Sequence, residues 1–247
     1  MTKWRLKAGL VTAWIVAGLL PGVEAEERAK PDPESKRRMW LLAVGESPPF
    51  RQVIENGVRR ELPPPPGSIP PRTITVSGAG TGEVAGGVSL ALGRISPAYE
   101  LAGGQGKLVL REGDEKSWLE VSTPEKGDFV IVIWRGGKDW TQPAAKVLPI
   151  EEKPGLVVFL NLSPGTLGLE WDDRKLGLKP GQQAFSRTAG APQALRVNLL
   201  SDAGAPTRLA QRTIEQSATE WSLVVFCRAD GVKPRQPVKT TVVRLGL

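Results

Sequence analysis

The chain has 247 residues, a formal charge of +7, one cysteine and no histidine. The missing histidine excludes Ser-His-Asp and Cys-His hydrolysis as usually built, and with them histidine-ligated zinc or copper. The single cysteine, Cys227, excludes thiolate clusters, redox pairs and an internal disulfide.

Residues 1–25 read as a signal peptide. Lys3, Arg5 and Lys7 precede an uncharged apolar run, residues 8–20, and Pro21-Gly22 break it. Val23-Glu24-Ala25 then offers small residues where a signal peptidase reads. The run is shorter than the ~20 residues a membrane-spanning helix needs. Retention as an uncleaved anchor is the other reading of the same segment. No later stretch is long and apolar enough to span a bilayer, so no transmembrane span is expected in the mature chain. Without the signal, its three cations and its one anion, the chain keeps about +5. Those charges are scattered. Lys36-Arg37-Arg38, Arg59-Arg60 and Arg174-Lys175 are short clusters. A nucleic-acid binder concentrates its cations on one face, so no nucleic acid is expected as a partner. The basic balance favours solubility, with attraction to acidic polymers or an anionic membrane surface as the alternative.

Residues 26–38 are polar, carry Pro31 and Pro33, and read as a flexible leader. Residues 39–71 read as an N-terminal strand and hairpin with a Pro-rich spacer. Trp40-Leu41-Leu42-Ala43-Val44 is the strand. Asn56-Gly57 is the hairpin turn, because both central residues of that turn need positive φ. Pro63 to Pro66 and Pro70-Pro71 supply the spacer, since proline gives no ladder donor and favours an extended helix. Residues 72–149 hold short β-branched runs at 74–76, 88–92, 107–110, 118–121 and 129–134. Residues 150–155 are a linker. The pattern restarts over 156–247, with runs at 156–162, 167–171, 174–178, 194–200, 209–214, 221–227 and 239–245. Residues 208–217 fit a short helix about as well as a strand.

Frequent short strands with Gly and Pro turns predict an all-β chain. The expectation is two tandem β-sandwich-like domains, Ig-like or cupredoxin-like in architecture, following the N-terminal β-hairpin. Internal duplication is expected from two sets of landmarks. Residues 129–135 match 222–228, each an apolar strand ending in arginine before a glycine turn. Leu101-Ala102-Gly103-Gly104-Gln105 matches Leu178-Lys179-Pro180-Gly181-Gln182.

The chemistry-bearing residues are few. Ser77-Gly78-Ala79-Gly80-Thr81-Gly82 lacks the helix and lysine of a phosphate cradle and reads as a turn. Glu170 with Asp172 and Asp173, and Glu112 with Asp114 and Glu115, lie too close in sequence to face each other across a glycosidase cleft. Cys227 lies in an apolar run and reads as a buried, inert thiol. Six tryptophans follow the signal: Trp40, Trp118, Trp134, Trp140, Trp171 and Trp221. Trp140 in a polar turn and Trp171 at a turn edge are the candidates for exposed platforms that stack on sugar rings. Trp134 and Trp221 read as core.

These residues predict no enzyme, no cofactor and no metal site. The leading expectation is an exported interaction or structural module of a bacterial envelope, periplasmic or extracellular, binding through sheet edges and loops. Its partner would be an envelope protein or polysaccharide, and self-association is open. The alternative is a carbohydrate-binding protein using Trp140 or Trp171. A hydrolase built on two distant carboxylates ranks third. Leu178-Lys179-Pro180-Gly181-Gln182 is similar to a turn of the periplasmic pilus chaperones, which are also basic, exported, two-sandwich proteins of similar length. The resemblance covers those five residues, in the opposite half of the chain, and implies no functional residue here.

Overall fold

A computed structural model describes residues 36–246, except 79–86, 102–105, 114–115, 152, 189, 202–203 and 231–233. The signal segment, most of the leader, most of the glycine-rich stretch after Ser77 and the 102–105 landmark fall outside the described residues. The described residues are all-β and contain no helix, hence none long and apolar enough to cross a membrane.

In chain order the strands begin with β1 (Arg37–Val44), β2 (Gln52–Glu55), β3 (Val58–Glu61), β4 (Thr73–Gly78), β5 (Val88–Ser89) and β6 (Tyr99–Leu101). Next come β7 (Lys107–Glu112), β8 (Lys116–Ser122), β9 (Phe129–Arg135), β10 (Pro143–Pro149), β11 (Leu156–Leu162) and β12 (Leu167–Trp171). The last are β13 (Arg174–Leu178), β14 (Gln183–Arg187), β15 (Gln193–Ser201), β16 (Gly204–Ile214), β17 (Glu220–Arg228) and β18 (Val238–Gly246). Residues 208–214, where a helix was an option, are extended within β16.

Four four-stranded sheets result, ordered β10-β9-β1-β6, β5-β4-β7-β8, β14-β11-β17-β18 and β13-β12-β15-β16, with β2-β3 standing apart. The first and third sheets share one pairing scheme. A parallel pair lies at the centre, β1 with β9 and β11 with β17, and an antiparallel strand flanks each side. The second and fourth sheets are antiparallel throughout. Strand β1 therefore sits in the middle of a sheet, and Arg37 and Arg38, read as the end of a leader, are its first residues. Arg37 is buried and donates to the Pro124 carbonyl. Arg38 is held by Asp128, whose carboxylate takes both its backbone N–H and its Nε at 2.7 Å.

Alternation along the central strands makes three cores. In β1, Met39, Leu41 and Ala43 face one cluster while Trp40, Leu42 and Val44 face another. In β17, Val224 and Phe226 point one way and Leu223, Val225 and Cys227 the other. Successive side chains of a strand point to opposite faces, so a strand covered on both sides is apolar at most positions. That is why β1, β9, β11 and β17 read as long hydrophobic runs, with Arg37, Asn161 and Ser222 as buried polar exceptions. The middle cluster takes residues from the first and third sheets together: Trp40, Val132, Leu148, Val158, Leu160 and Leu223 are among them. The described residues accordingly form one compact unit.

Candidate functional site

Neither tryptophan expected on the surface is exposed. Trp140 is 3% exposed and Trp171 is 0% exposed, so neither can present an indole face to a sugar. The loop after β9 folds back over the end of the first core. There the Trp140 backbone N–H donates to the Gly67 carbonyl at 2.8 Å, and its own carbonyl accepts the Trp118 indole N–H at 2.7 Å. The two rings stack with centroids 6.5 Å apart. Trp171, at the end of β12, points inward and meets Phe159 edge-on at 5.3 Å. A polar turn places the backbone at the surface, but a side chain as long as tryptophan reaches the core from there. Trp221, expected in the core, is fully buried.

Glu170, Asp172 and Asp173 line one shallow concavity beside Arg196, and Asp114 and Glu115 lie outside the described residues. Asp172 and Asp173 form the two-residue turn between β12 and β13, with Asp172 at φ 53°. Glu170 pairs with Arg196 at 3.3 Å. Among the described residues, no three His, Cys, Asp or Glu side chains gather as a metal ion would require. Cys227 is 4% exposed. Burial pushes its thiol up to about 11 from an ordinary 9.0, with Asp230 and Glu46 adding to the rise and Lys239 opposing it.

Two features remain that present themselves to a partner. The first is a cleft of about 790 Å³ at the C-terminal ends of the four central strands. Register explains its floor. Val44 pairs with Trp134 and Leu162 pairs with Cys227, so these four side chains form the last rung of the core between the first and third sheets. The loops that follow those strands make the walls. Arg135 forms an ion pair with Asp230, whose backbone N–H donates to Glu46 at 2.7 Å. Lys146 donates to the Gly181 carbonyl at 2.7 Å. One wall is fixed by Asn161, which is fully buried. Its amide donates to the Gly165 and Leu178 carbonyls at 2.8 Å each, and its oxygen accepts the Ser163 N–H and hydroxyl. All the hydrogen-bonding directions of an asparagine amide are thereby used. The adjoining Lys179-Pro180-Gly181-Gln182 turn closes with a 3.0 Å bond from the Gln182 N–H to the Lys179 carbonyl. It places Gly181 at φ 74°, which proline followed by glycine favours. Trp134, read from sequence as core, is only half-buried and lines this cleft.

The second feature is the β2–β3 hairpin. Among the described residues it pairs with no other strand, which leaves both of its edges unpaired. Phe50, Ile54 and Val58 are 68%, 64% and 60% exposed, the three most exposed large apolar residues described. Ile54 faces Arg59 across the hairpin and Val58 faces Glu55, so apolar groups stand on both faces among charged ones. Sequence placed the turn here but gave no sign that the hairpin stands clear of the sheets.

Compared with protein-family models and with curated proteins, the chain matches none.

Proposed function

We propose that this chain is a non-enzymatic interaction or structural protein, exported to the cell envelope, whose hairpin is the contact element. The observation that carries the reading is the β2–β3 hairpin, with Phe50, Ile54 and Val58 in water and two unpaired edges. A two-stranded hairpin is marginal on its own. Burying its apolar side chains against a partner, or adding a partner's strand to an open edge, supplies what it lacks. Export rests on the signal pattern of residues 1–25.

The fold reading that accompanies it is a pair of related β-sandwich-like halves. Its support is the pairing scheme. Strands β1 and β4–β10 in the first half, and β11–β18 in the second, pair in the same order and sense, with the hairpin inserted in the first. The landmark match of 129–135 to 222–228 falls on corresponding strands, β9 and β17. The match of 101–105 to 178–182 does not, because Leu101 ends β6 whereas Leu178 ends β13.

The test compares the C-terminally tagged mature chain with a Phe50→Ser, Ile54→Ser, Val58→Ser variant in capture from envelope extract. The wild-type chain should retain a specific protein that the variant loses, at unchanged thermal stability. Equal retention by both would remove the hairpin from the interaction.

A further inference from the structure

We propose that the cleft between the first and third sheets binds an acidic sugar, its ring on Trp134 and its carboxylate held by Lys138 and Arg228. The inference is independent of the hairpin reading, since it uses none of the same residues.

The cleft has the size of a small-ligand site, and those run from about 300 to 1,000 Å³. Its floor is the unfinished rung of a hydrophobic core. Elsewhere along this core each rung is covered by the next, but the Val44–Trp134 and Leu162–Cys227 rung has only loops beyond it. Trp134 is consequently half-buried, whereas the other tryptophans among the described residues are buried. A flat, partly exposed indole in a concavity is suited to the C–H face of a sugar ring.

Charge at the rim selects among sugars. The two carboxylates lining the cleft are already engaged. Asp230 holds Arg135, and Glu46 accepts the Asp230 N–H. Lys138 and Arg228 line the same cleft, are exposed, and have no ion-pair partner among the described residues. Three cations, Arg135, Lys138 and Arg228, against the two carboxylates leave the rim with a net positive charge, which draws an anion. The walls are of mixed polarity, with Gly136, Gly137 and Gly181 bringing main chain without side chains to the surface. Such a lining accommodates hydroxyl groups, whereas a purely apolar ligand would need an enclosed apolar pocket. An aromatic floor, main-chain walls and a net positive rim match a uronate.

The experiment is calorimetric titration of the mature chain with oligogalacturonate, with oligomannuronate, with methyl-esterified oligogalacturonate, which keeps the ring and loses the charge, and with acetate alone. At least one acidic oligomer should bind, weakening with added salt. For that oligomer, methyl esterification and the Lys138→Ala, Arg228→Ala double variant should each lower affinity by about tenfold or more. Acetate should not bind measurably. Trp134→Phe should weaken the acidic oligomer and remove most of the quenching of tryptophan fluorescence that binding produces. Trp134 packs on the core, so the double variant, confined to exposed side chains, is the test that folding cannot confound. Absence of binding by both acidic oligomers, equal affinity for the ester, or wild-type binding by the double variant would each overturn the proposal. The hairpin variant should bind the oligomer normally, which separates this result from that of the partner capture.

Discussion

Cys227 shows how a single position can be reactive in type and inert in place. It sits on the last rung of the β11–β17 pairing, opposite Leu162 and 4% exposed. Burial favours the neutral thiol over the thiolate, and the nearby carboxylates of Asp230 and Glu46 favour it further. The consequence for stability has a definite sign. Well below pH 9 the thiol is protonated in both folded and unfolded chains and contributes no pH dependence. From 9.0 to about 11 the unfolded chain releases the proton that the folded chain retains. Stability therefore falls as pH rises through that window, by about 2–3 kcal/mol when the window is complete. Lysine titrates in the same range, so the comparison must be with Cys227→Ala, which lacks only the thiol. Urea denaturation at pH 8 and pH 10.5 should show a larger loss for the wild-type chain than for Cys227→Ala. Equal losses would mean that the thiol is not buried as described.

At the scale of the element, the hairpin is the part of the chain set by its turn alone. Asn56 and Gly57 adopt φ of 51° and 79°, the left-handed pair that a two-residue turn between twisted strands needs. An added Cβ at Gly57 would touch nothing, so alanine there is opposed by backbone conformation rather than by space. Asn56→Ala with Gly57→Ala should abolish amide exchange protection across Val53 to Arg60. Global stability should change by no more than about 0.5 kcal/mol, because the hairpin is exposed and pairs only with itself. Protection that survives the double substitution would show that packing, not the turn, holds the hairpin. This turn was legible in sequence because two adjacent residues encode it. The long apolar strands were legible for a related reason: burial on both faces leaves few polar positions to interrupt the run. Strands β6 and β14 escaped notice. They lie at sheet edges, and Tyr99-Glu100-Leu101 and Gln183–Arg187 mix polar and apolar residues because they are covered on one side at most. Turn residues did locate Trp140 and Trp171 along the chain, but not the direction of their side chains. The cleft was beyond reach for another reason. Its floor joins Val44, Trp134, Leu162 and Cys227, which only the pairing of two sheets brings together.

At the scale of the molecule, the core between the first and third sheets decides how the chain unfolds. Trp40, Leu42, Val130 and Val132 meet Leu156, Val158, Leu160 and Leu223 there, and all are buried. Residues 150–155 read as a linker in the sequence, and Ile150 within it and Leu156 just after it both belong to this cluster. Each half thus leaves a full sheet face without cover if the other is absent. Apolar surface in water carries a free-energy cost proportional to its area, and an entire sheet face is a large area. The chain should therefore unfold in one cooperative step, with tryptophan fluorescence and far-UV circular dichroism giving coincident midpoints. Leu42→Ala from the first sheet and Leu160→Ala from the third should each cost about 2–5 kcal/mol and lower both midpoints together. Residues 156–247 expressed alone should bind a hydrophobic dye and aggregate, because Leu156, Val158, Leu160 and Leu223 would face water. Two separated transitions, with Leu42→Ala moving only one of them, would mean that the halves are stable units that merely touch.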